Sequence, residues 1–269
     1  MRLMSLNAWG GNIFEPLKNL IDRVRPDILL LQEVTSAVDA SPRRLFFKGH
    51  GFDLPQQADL FADMAKVLDG HFALFCPAMQ GELFDEAGRA YRSRFGLASF
   101  VHRDIAILEQ VQAFAHGAYR PDGWGEPPVP RNMHVLRLFD PETQQAFVVA
   151  QLHGLRDPAG KHDTPDRMAQ AEKIVGLISA VRQKGDPVVF CGDLNLQPDS
   201  RTFEILAAAG LIDLVTTRGF ADTRTALYEK PERFADYLLV SPTVKVIDFD
   251  VPAEPVVSDH RPMMLEFEV

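Results

Sequence analysis

The chain has 269 residues, 46% hydrophobic and 24% charged, which is an ordinary globular composition with enough apolar residues for a sizeable core. Its formal net charge of -9 argues against strong non-specific binding of duplex DNA, which requires clustered lysines and arginines. Cys76 and Cys191 lie in apolar runs and predict buried free thiols rather than a disulfide. The sequence has no recognisable signal peptide and no apolar run of roughly 18 residues, so we expect a cytoplasmic protein without membrane insertion.

Apolar runs and amphipathic segments alternate through the first half of the chain. Leu17, Leu20 and Ile21 share one helical face, and Pro26 ends that predicted helix. Phe61 and Met64 begin the same pattern in a second helix. The strands expected in this half are 1–6, 27–31, 72–75, 97–101, 105–114, 133–139 and 147–152.

The second half begins with a long predicted helix and ends mainly in strands. Asp163 or Thr164 is expected to cap that helix, with Pro165 in its first turn. A shorter helix is expected after Asp199 or Ser200. The remaining predicted strands are 187–191, 237–240, 244–250 and 263–269. This order predicts an α/β fold with mixed sheets, formed by residues 1–269 as a single domain.

Polar residues repeatedly stand where the apolar strands end. Buried polar groups cost free energy unless they are paired or bind a ligand, and several strand ends that converge would form a site. One such residue alone can also be a cap or a turn. The strand-end residues are Asn7, Glu33, His153, Asp193, Asn195, Asp236, Asp259 and His260.

This set contains carboxylates, amides and imidazoles but no cysteine. Hard oxygen ligands suit Mg²⁺ or Mn²⁺ better than Zn²⁺. A cation that neutralises phosphate oxygens, together with a base that prepares water, is the arrangement required for phosphoester hydrolysis. The pattern therefore predicts a metal-dependent hydrolase of phosphate esters.

Five motifs resemble those of the endonuclease/exonuclease/phosphatase superfamily, which has the DNase I-like fold. They are Leu6-Asn7, Leu31-Gln32-Glu33-Val34, Gly192-Asp193-Leu194-Asn195, Asp236-Tyr237 and Ser258-Asp259-His260-Arg261-Pro262, and their order and spacing match over nearly the whole chain. The resemblance implies a four-layered α/β sandwich, in which two mixed β-sheets pack face to face with helices outside.

The resemblance also implies roles for individual residues. Glu33 is expected to be the principal Mg²⁺ ligand, helped by Asn7 and Asp259. Asp193 is expected to position or activate the attacking water, and His153 and Asn195 to contact phosphate oxygens. His260, paired with Asp236 or Asp259, is expected to act as general base or as a donor to the transition state.

The sequence leaves three further questions open. Tyr91, Tyr119 and Asn132 all compete for the position of a mid-chain residue beside the phosphate. Arg167 and Gln170, one helical turn apart, fit an exposed helix face as well as a role in supporting the site.

The third question is the substrate and the functional class. The acidic balance favours a small phosphoester, a nucleotide or a nucleic-acid end over duplex DNA. The alternative to an enzyme is a binding module that keeps the fold without the chemistry. All the expected acids, amides and histidines are present, which favours the enzyme.

Overall fold

The computed structural model describes residues 1–49, 51–158 and 160–269 and contains two mixed β-sheets. The first sheet has eight strands in the order β13-β14-β1-β2-β6-β5-β3-β4. Its strands are β1 (Arg2–Asn7), β2 (Ile28–Ala37), β3 (Arg44–Gly49), β4 (Phe52–Gln57), β5 (His71–Phe84), β6 (Ala90–His102), β13 (Lys245–Asp250) and β14 (Met263–Glu268). β1 and β2 are parallel, and the other pairs in this sheet are antiparallel.

The second sheet has six strands in the order β11-β12-β10-β9-β8-β7. Its strands are β7 (Ala106–His116), β8 (Arg131–Asp140), β9 (Gln145–His153), β10 (Val188–Asp193), β11 (Ile212–Asp213) and β12 (Asp236–Val240). Only β9 and β10 are parallel. β10 therefore lies between β9 and β12, which places the end of β10 beside the end of β9 and the start of β12.

The largest apolar core lies between the two sheets. Leu3 and Leu30 from the first sheet belong to the same buried cluster as Phe147 and Phe190 from the second. Met4 and Leu29, which alternate with them along β1 and β2, belong instead to a cluster under two helices. Both faces of the central strands are thus covered, which explains why their sequences are continuously apolar.

Helices cover the outer faces of both sheets. They are α1 (Phe14–Val24), α2 (Leu60–Val67), α3 (Pro165–Val181), α4 (Thr202–Ala208) and α5 (Leu214–Thr217). Thr164 caps α3 by accepting a hydrogen bond from the Arg167 N–H, as one of the two sequence alternatives predicts. The predicted sandwich with outer helices is confirmed. Within the described residues, the helices are too short or too polar to cross a membrane.

The structure differs from the sequence expectations mainly in the first sheet. β5 and β6 are 14 and 13 residues long, far beyond the predicted cores 72–75 and 97–101. Their extensions carry many polar residues, so an apolar run marks only the part that lies over the core. The hairpin of β3 and β4 was not predicted for the same reason, since most of its side chains are at least partly exposed.

A β-bulge in β2 corrects one strand-end interpretation. β2 does not end at Gln32-Glu33 but continues to Ala37, and its register with β6 shifts between Leu31 and Val34. Glu33 has a positive φ of 55° within this shift. A bulge redirects a side chain out of the regular alternation, and here it directs Glu33 to the edge where other polar residues gather.

Gly96 makes this bulge possible. It is paired with Val34 on one side and with Pro77 on the other, next to the register shifts of both strand pairs. A Cβ atom at Gly96 would collide with the backbone carbonyl of Cys76. The three strands therefore approach one another closely only because residue 96 has no side chain.

We expect Gly96→Ala to lower the free energy of unfolding by roughly 2–4 kcal/mol, because the added methyl meets rigid backbone. Gly176→Ala is the matched control, since Gly176 is an exposed residue of α3 with open space around its Cβ position. It should gain up to about 1 kcal/mol of helix propensity. Urea unfolding measures both, and a Gly96→Ala protein as stable as wild type would contradict the packing described for Gly96.

Candidate active site

Every strand-end residue predicted from the sequence lies at the same edge of the sandwich. Asn7 ends β1, His153 ends β9, Asp193 ends β10, and Asp236 begins β12 directly opposite Asp193. His260 lies before β14, the antiparallel neighbour of β1. The two sheets thus bring Asn7 and His260 to the same edge, although almost the full length of the chain separates them.

Asp193 lies at the centre of this edge with only 2% of its side chain exposed. Its Oδ2 accepts a hydrogen bond from Asn7 Nδ2 at 2.9 Å, and its Oδ1 accepts one from the Asn195 N–H at 3.0 Å. The Nε2 atoms of His153 and His260 lie 3.7 and 3.6 Å from Oδ2. Burial on its own raises the pKa of Asp193, but His260, His153 and Arg224 outweigh it, so the pKa lies well below its usual range. Asp193 is therefore held as a carboxylate.

His260 is paired with Asp236 rather than with Asp259, which resolves the choice that the sequence left open. Its Nδ1 lies 2.9 and 2.8 Å from the two Asp236 oxygens, whereas its Nε2 is 3.8 Å from Asp259 Oδ1. Burial alone lowers the pKa of His260, but the carboxylates of Asp236, Asp259 and Asp193 together outweigh it and the pKa is raised. Nδ1 therefore carries the proton donated to Asp236, and Nε2 is the nitrogen that faces Asp193.

Glu33 has the properties of a cation ligand. Burial raises the pKa of its carboxyl group, and the Asp259 carboxylate raises it further. Its Oε1 lies 3.7 Å from His153 Nε2, and Glu33, His153 and Asp193 each offer a ligand atom within 4.8 Å of the others. Asp193, Asp236 and His260 form a second group of this kind. Carboxylates that destabilise each other's charge fit a site for a hard divalent cation, which would relieve the repulsion.

The two predicted amides serve partly as organisers. Asn7 Oδ1 accepts the Trp9 N–H at 3.0 Å while its Nδ2 donates to Asp193. Asn195 has a positive φ of 55°, and its Nδ2 lies 3.4 Å from the Gly154 carbonyl. Both amides thus connect the ends of neighbouring strands. Their predicted contacts with a cation and with phosphate stay predictions.

Within the described residues, none of the three mid-chain candidates forms a hydrogen bond to this cluster. Tyr91 donates from its hydroxyl to Asp85, Tyr119 is 41% exposed, and Asn132 donates to the Cys76 carbonyl. Arg131, the neighbour of Asn132, reaches the cluster instead, with Nη1 3.0 and 3.1 Å from the two ring nitrogens of His153. Its position at the start of β8 was a detectable signal, because a charged residue there begins an apolar strand.

Arg224 is the second site residue that the sequence did not reveal. Its Nη1 lies 2.9 Å from Asp259 Oδ2 and 2.5 Å from His260 Nε2. It belongs to an irregular segment outside the helices and strands, so periodicity could not identify it. Burial opposes its charge, but Asp193, Asp236 and Asp259 raise the pKa of the guanidinium above its usual value.

Two further cations stand at the rim of the site. Lys161 Nζ lies 5.6 Å from the centroid of the Tyr228 ring, and burial together with Arg224 lowers the pKa of Lys161 to about 8. Arg156 is exposed, and its charge is close enough to lower the pKa values of both His153 and Arg131. The Tyr228 ring also forms a cation–π contact with Arg224, whose Cζ lies 4.2 Å from the ring centroid.

Arg167 and Gln170 do not form an exposed helix face, because both are 1% exposed. Arg167 donates to the carbonyls of Leu155, Gly160 and Asn195, as well as to that of His162. Gln170 Oε1 accepts the Leu155 N–H at 2.9 Å. The two residues therefore tie the segment after His153 to the segment after Asp193, which makes them supports of the site.

Trp124, in the segment between β7 and β8, covers the long hairpin of β5 and β6. It packs against Phe47 and Phe95 and donates to the Glu82 carbonyl. Arg92 on the same hairpin pairs with Asp39.

The sequence of residues 4–260 matches the Endonuclease/Exonuclease/phosphatase family. No curated protein sequence is similar enough to this chain to count as a relative.

Solved structures with the same fold share little sequence with this chain. A mannosyl-6-phosphatase from Bacteroides thetaiotaomicron VPI-5482 has a TM-score of 0.69 and 17% identity, with 100% of both chains covered. An endonuclease/exonuclease/phosphatase from Beutenbergia cavernae has a TM-score of 0.70 and 19% identity, covering 100% of this chain and 71% of that one. The human Nocturnin catalytic domain with bound sulfate has a TM-score of 0.63 and 18% identity, covering 100% and 93%. These likenesses show the fold alone.

We expect Arg167→Met to lower the free energy of unfolding by about 2–4 kcal/mol, because several buried carbonyls lose a charged donor while the apolar stem is kept. Lys173→Met on the exposed face of α3 is the control and should stay within about 0.5 kcal/mol of wild type. Chemical denaturation gives both values. Equal stability of the two variants would show that Arg167 does not hold the loops of the site.

Proposed function

Because the chain belongs to the Endonuclease/Exonuclease/phosphatase family, whose members hydrolyse phosphoesters, we propose that it is a divalent-cation-dependent hydrolase of phosphate esters. The observation that supports this most is the position of Asp193, a buried carboxylate with a histidine nitrogen 3.7 Å away on His153 and 3.6 Å away on His260. Asp193 and Glu33 also offer ligand atoms within 4.8 Å of each other. The proposal includes a single catalytic domain over residues 1–269 and a cytoplasmic location.

Glu33, Asn7 and Asp259 are the residues proposed to hold Mg²⁺ or Mn²⁺. A bound divalent cation supplies neutralisation of negative charge on phosphate oxygens. Glu33 is a quarter exposed, which leaves its carboxylate accessible from the rim. Asn7 Oδ1 accepts one backbone hydrogen bond and retains a second lone pair. The Asp259 side chain is 15% exposed, and its ion pair with Arg224 compensates its charge when no cation is bound.

Asp193 and His260 are proposed to divide the handling of the attacking water. The lowered pKa of Asp193 makes it a weak base, so it accepts a hydrogen bond from the water and orients it. His260 has a raised pKa and a proton fixed on Nδ1 by Asp236, so Nε2 is the stronger base. Nε2 lies 2.5 Å from Arg224 Nη1 and has to be released by that guanidinium before it accepts a proton. The water oxygen then bonds to phosphorus, its proton passes to His260 Nε2, and the ester P–O bond breaks. The leaving alkoxide takes a proton from solvent.

His153 and Asn195 are proposed to stabilise the phosphate oxygens as charge develops. Burial, reinforced by Arg131, lowers the pKa of His153 well below its usual value, so the ring is neutral. A neutral imidazole contributes one N–H donor without repelling the neighbouring arginine. Asn195 adds an amide at the end of the same sheet. In this scheme no covalent bond forms between the enzyme and phosphorus.

The second candidate, a binding module without catalysis, has less support. Such a module has no need for a histidine whose Nδ1 is fixed by a buried carboxylate, since a recognition contact does not require a basic Nε2. The Asp236–His260 pair is therefore the feature that favours an enzyme.

We expect turnover of p-nitrophenyl phosphate or bis-p-nitrophenyl phosphate in the presence of Mg²⁺ or Mn²⁺ and its loss in EDTA. Glu33→Gln, Asp193→Ala and His260→Ala should each lower kcat by a factor on the order of 10²–10⁴ without unfolding the protein. Arg103→Gln, an exposed residue in the turn after β6 at the opposite end of the sheet, is the control. Near-wild-type activity in Asp193→Ala would overturn its role.

The pH dependence of kcat/KM should follow the ionisation of His260. A general base acts when unprotonated, so kcat/KM falls as the pH drops through the raised pKa of His260. Asp193 stays ionised across that range because its pKa is lowered. Asp236→Asn removes the charge that raises the pKa of His260, which moves the acidic limb to lower pH. A profile that falls with increasing pH through this range would show that His260 acts in its protonated form.

A further inference from the structure

Two buried guanidinium groups in the site have no role in the hydrolysis outlined above. Arg131 lies against His153, and Arg224 lies against His260. The Nε2 atoms of both histidines face the same Oδ2 of Asp193, at 3.7 and 3.6 Å. β10 is flanked in its sheet by β9, which ends at His153, and by β12, whose Asp236 pairs with His260. Each guanidinium is thus one imidazole away from the centre of the site.

Both guanidinium groups keep unused donors. Arg131 is 6% exposed and Arg224 is 5% exposed, and the Nε atom of each has no hydrogen-bond partner among the described residues. A buried donor without a partner costs free energy, which a bound acceptor recovers. The planar guanidinium offers its donors as a fork that matches two oxygens of a phosphate. An anion bound beside either guanidinium would supply such an acceptor.

The site contains as many formal positive charges as formal negative ones when its histidines are counted as neutral. Two carboxylates lie on β10 and β12, a third in the bulge of β2 and a fourth before β14. Two buried arginines and two rim cations match them in number. The eight residues are Glu33, Asp193, Asp236, Asp259, Arg131, Arg224, Arg156 and Lys161.

We propose that Arg131 and Arg224 act together as specificity-determining residues that select a terminal phosphate dianion, so that the substrate is a small phosphomonoester. A terminal phosphate has three non-ester oxygens and two negative charges, whereas a diester has two such oxygens and one charge. Two guanidinium forks, one beside His153 and one beside His260, match the terminal phosphate better than the diester. This inference rests on the proposed function and narrows it.

The charge outside the site supports a small substrate. Because the eight site residues balance one another, the net charge of -9 belongs to the rest of the chain. A long polyanion would meet that surface and be repelled, whereas a small dianion interacts with the locally balanced site alone.

The test compares p-nitrophenyl phosphate with methyl p-nitrophenyl phosphate, which share a leaving group and differ by one charge at about pH 8. For wild type we expect kcat/KM to favour the monoester by at least about tenfold. Arg131→Gln and Arg224→Gln should each lower kcat/KM for the monoester roughly 100-fold and for the diester by less than about tenfold. Arg131→Lys and Arg224→Lys keep the charge but lose the fork, so each should retain only part of the preference. Arg103→Gln should leave kcat/KM unchanged for both substrates.

Binding of the free anions gives a readout independent of turnover. Isothermal titration calorimetry with Mg²⁺ present should show inorganic phosphate binding at least about tenfold more tightly than dimethyl phosphate, with the difference lost in Arg131→Gln. The inference would be overturned if the wild type preferred the diester, or if the glutamine variants lowered kcat/KM equally for both substrates. Either outcome would leave the proposed hydrolysis intact. If wild type hydrolyses neither ester, the proposed function fails. Equal binding of the two anions in that case overturns the selection as well.

Discussion

The site depends on keeping one carboxylate ionised inside the protein. Asp193 has 2% of its side chain exposed, and an unpaired buried charge would cost several kcal/mol. The compensation comes from the hydrogen bonds that the Asn7 amide and the Asn195 N–H donate, and from Arg224 and the two nearby imidazoles. Since these groups come from segments before, within and after the second sheet, the charge is tolerated only when both sheets are assembled. Folding and formation of the site are thus the same event.

The segment that carries Arg224 is fixed by further hydrogen bonds and ion pairs. The Arg224 carbonyl accepts from Arg233 Nη2 and from Arg261 Nε, each at 2.9 Å, and both arginines also bind Asp222. Arg131 needs no such tether because it begins β8 within the second sheet. A guanidinium on an irregular segment is thereby held as firmly as one on a strand, which matters because a mobile cation would lose ordering entropy on binding an anion.

The sequence predicted the parts of the site that follow a pattern and missed those that do not. Asp193 and His153 end apolar strands, and such ends are visible as a change from apolar to polar residues. Glu33 was identified by its motif, although the reason given for it was wrong, since a bulge and not a strand end exposes it. Arg224 was invisible because it belongs to neither a helix nor a strand. Arg167 was ambiguous because helical periodicity cannot distinguish an exposed charge from one that binds buried carbonyls.

The opposite pKa shifts of Asp193 and Asp236 explain why one site can contain two buried carboxylates with different tasks. Both contact His260, but burial dominates at Asp236 and raises its pKa, whereas the histidines and Arg224 dominate at Asp193 and lower it. Asp236 contacts only Nδ1 and so acts on the basicity of the ring, while Asp193 faces Nε2. The antiparallel pairing of β10 with β12 places these two acids opposite each other. In the proposed reaction, the register of this single strand pair would therefore decide which carboxylate tunes the base and which one orients the water.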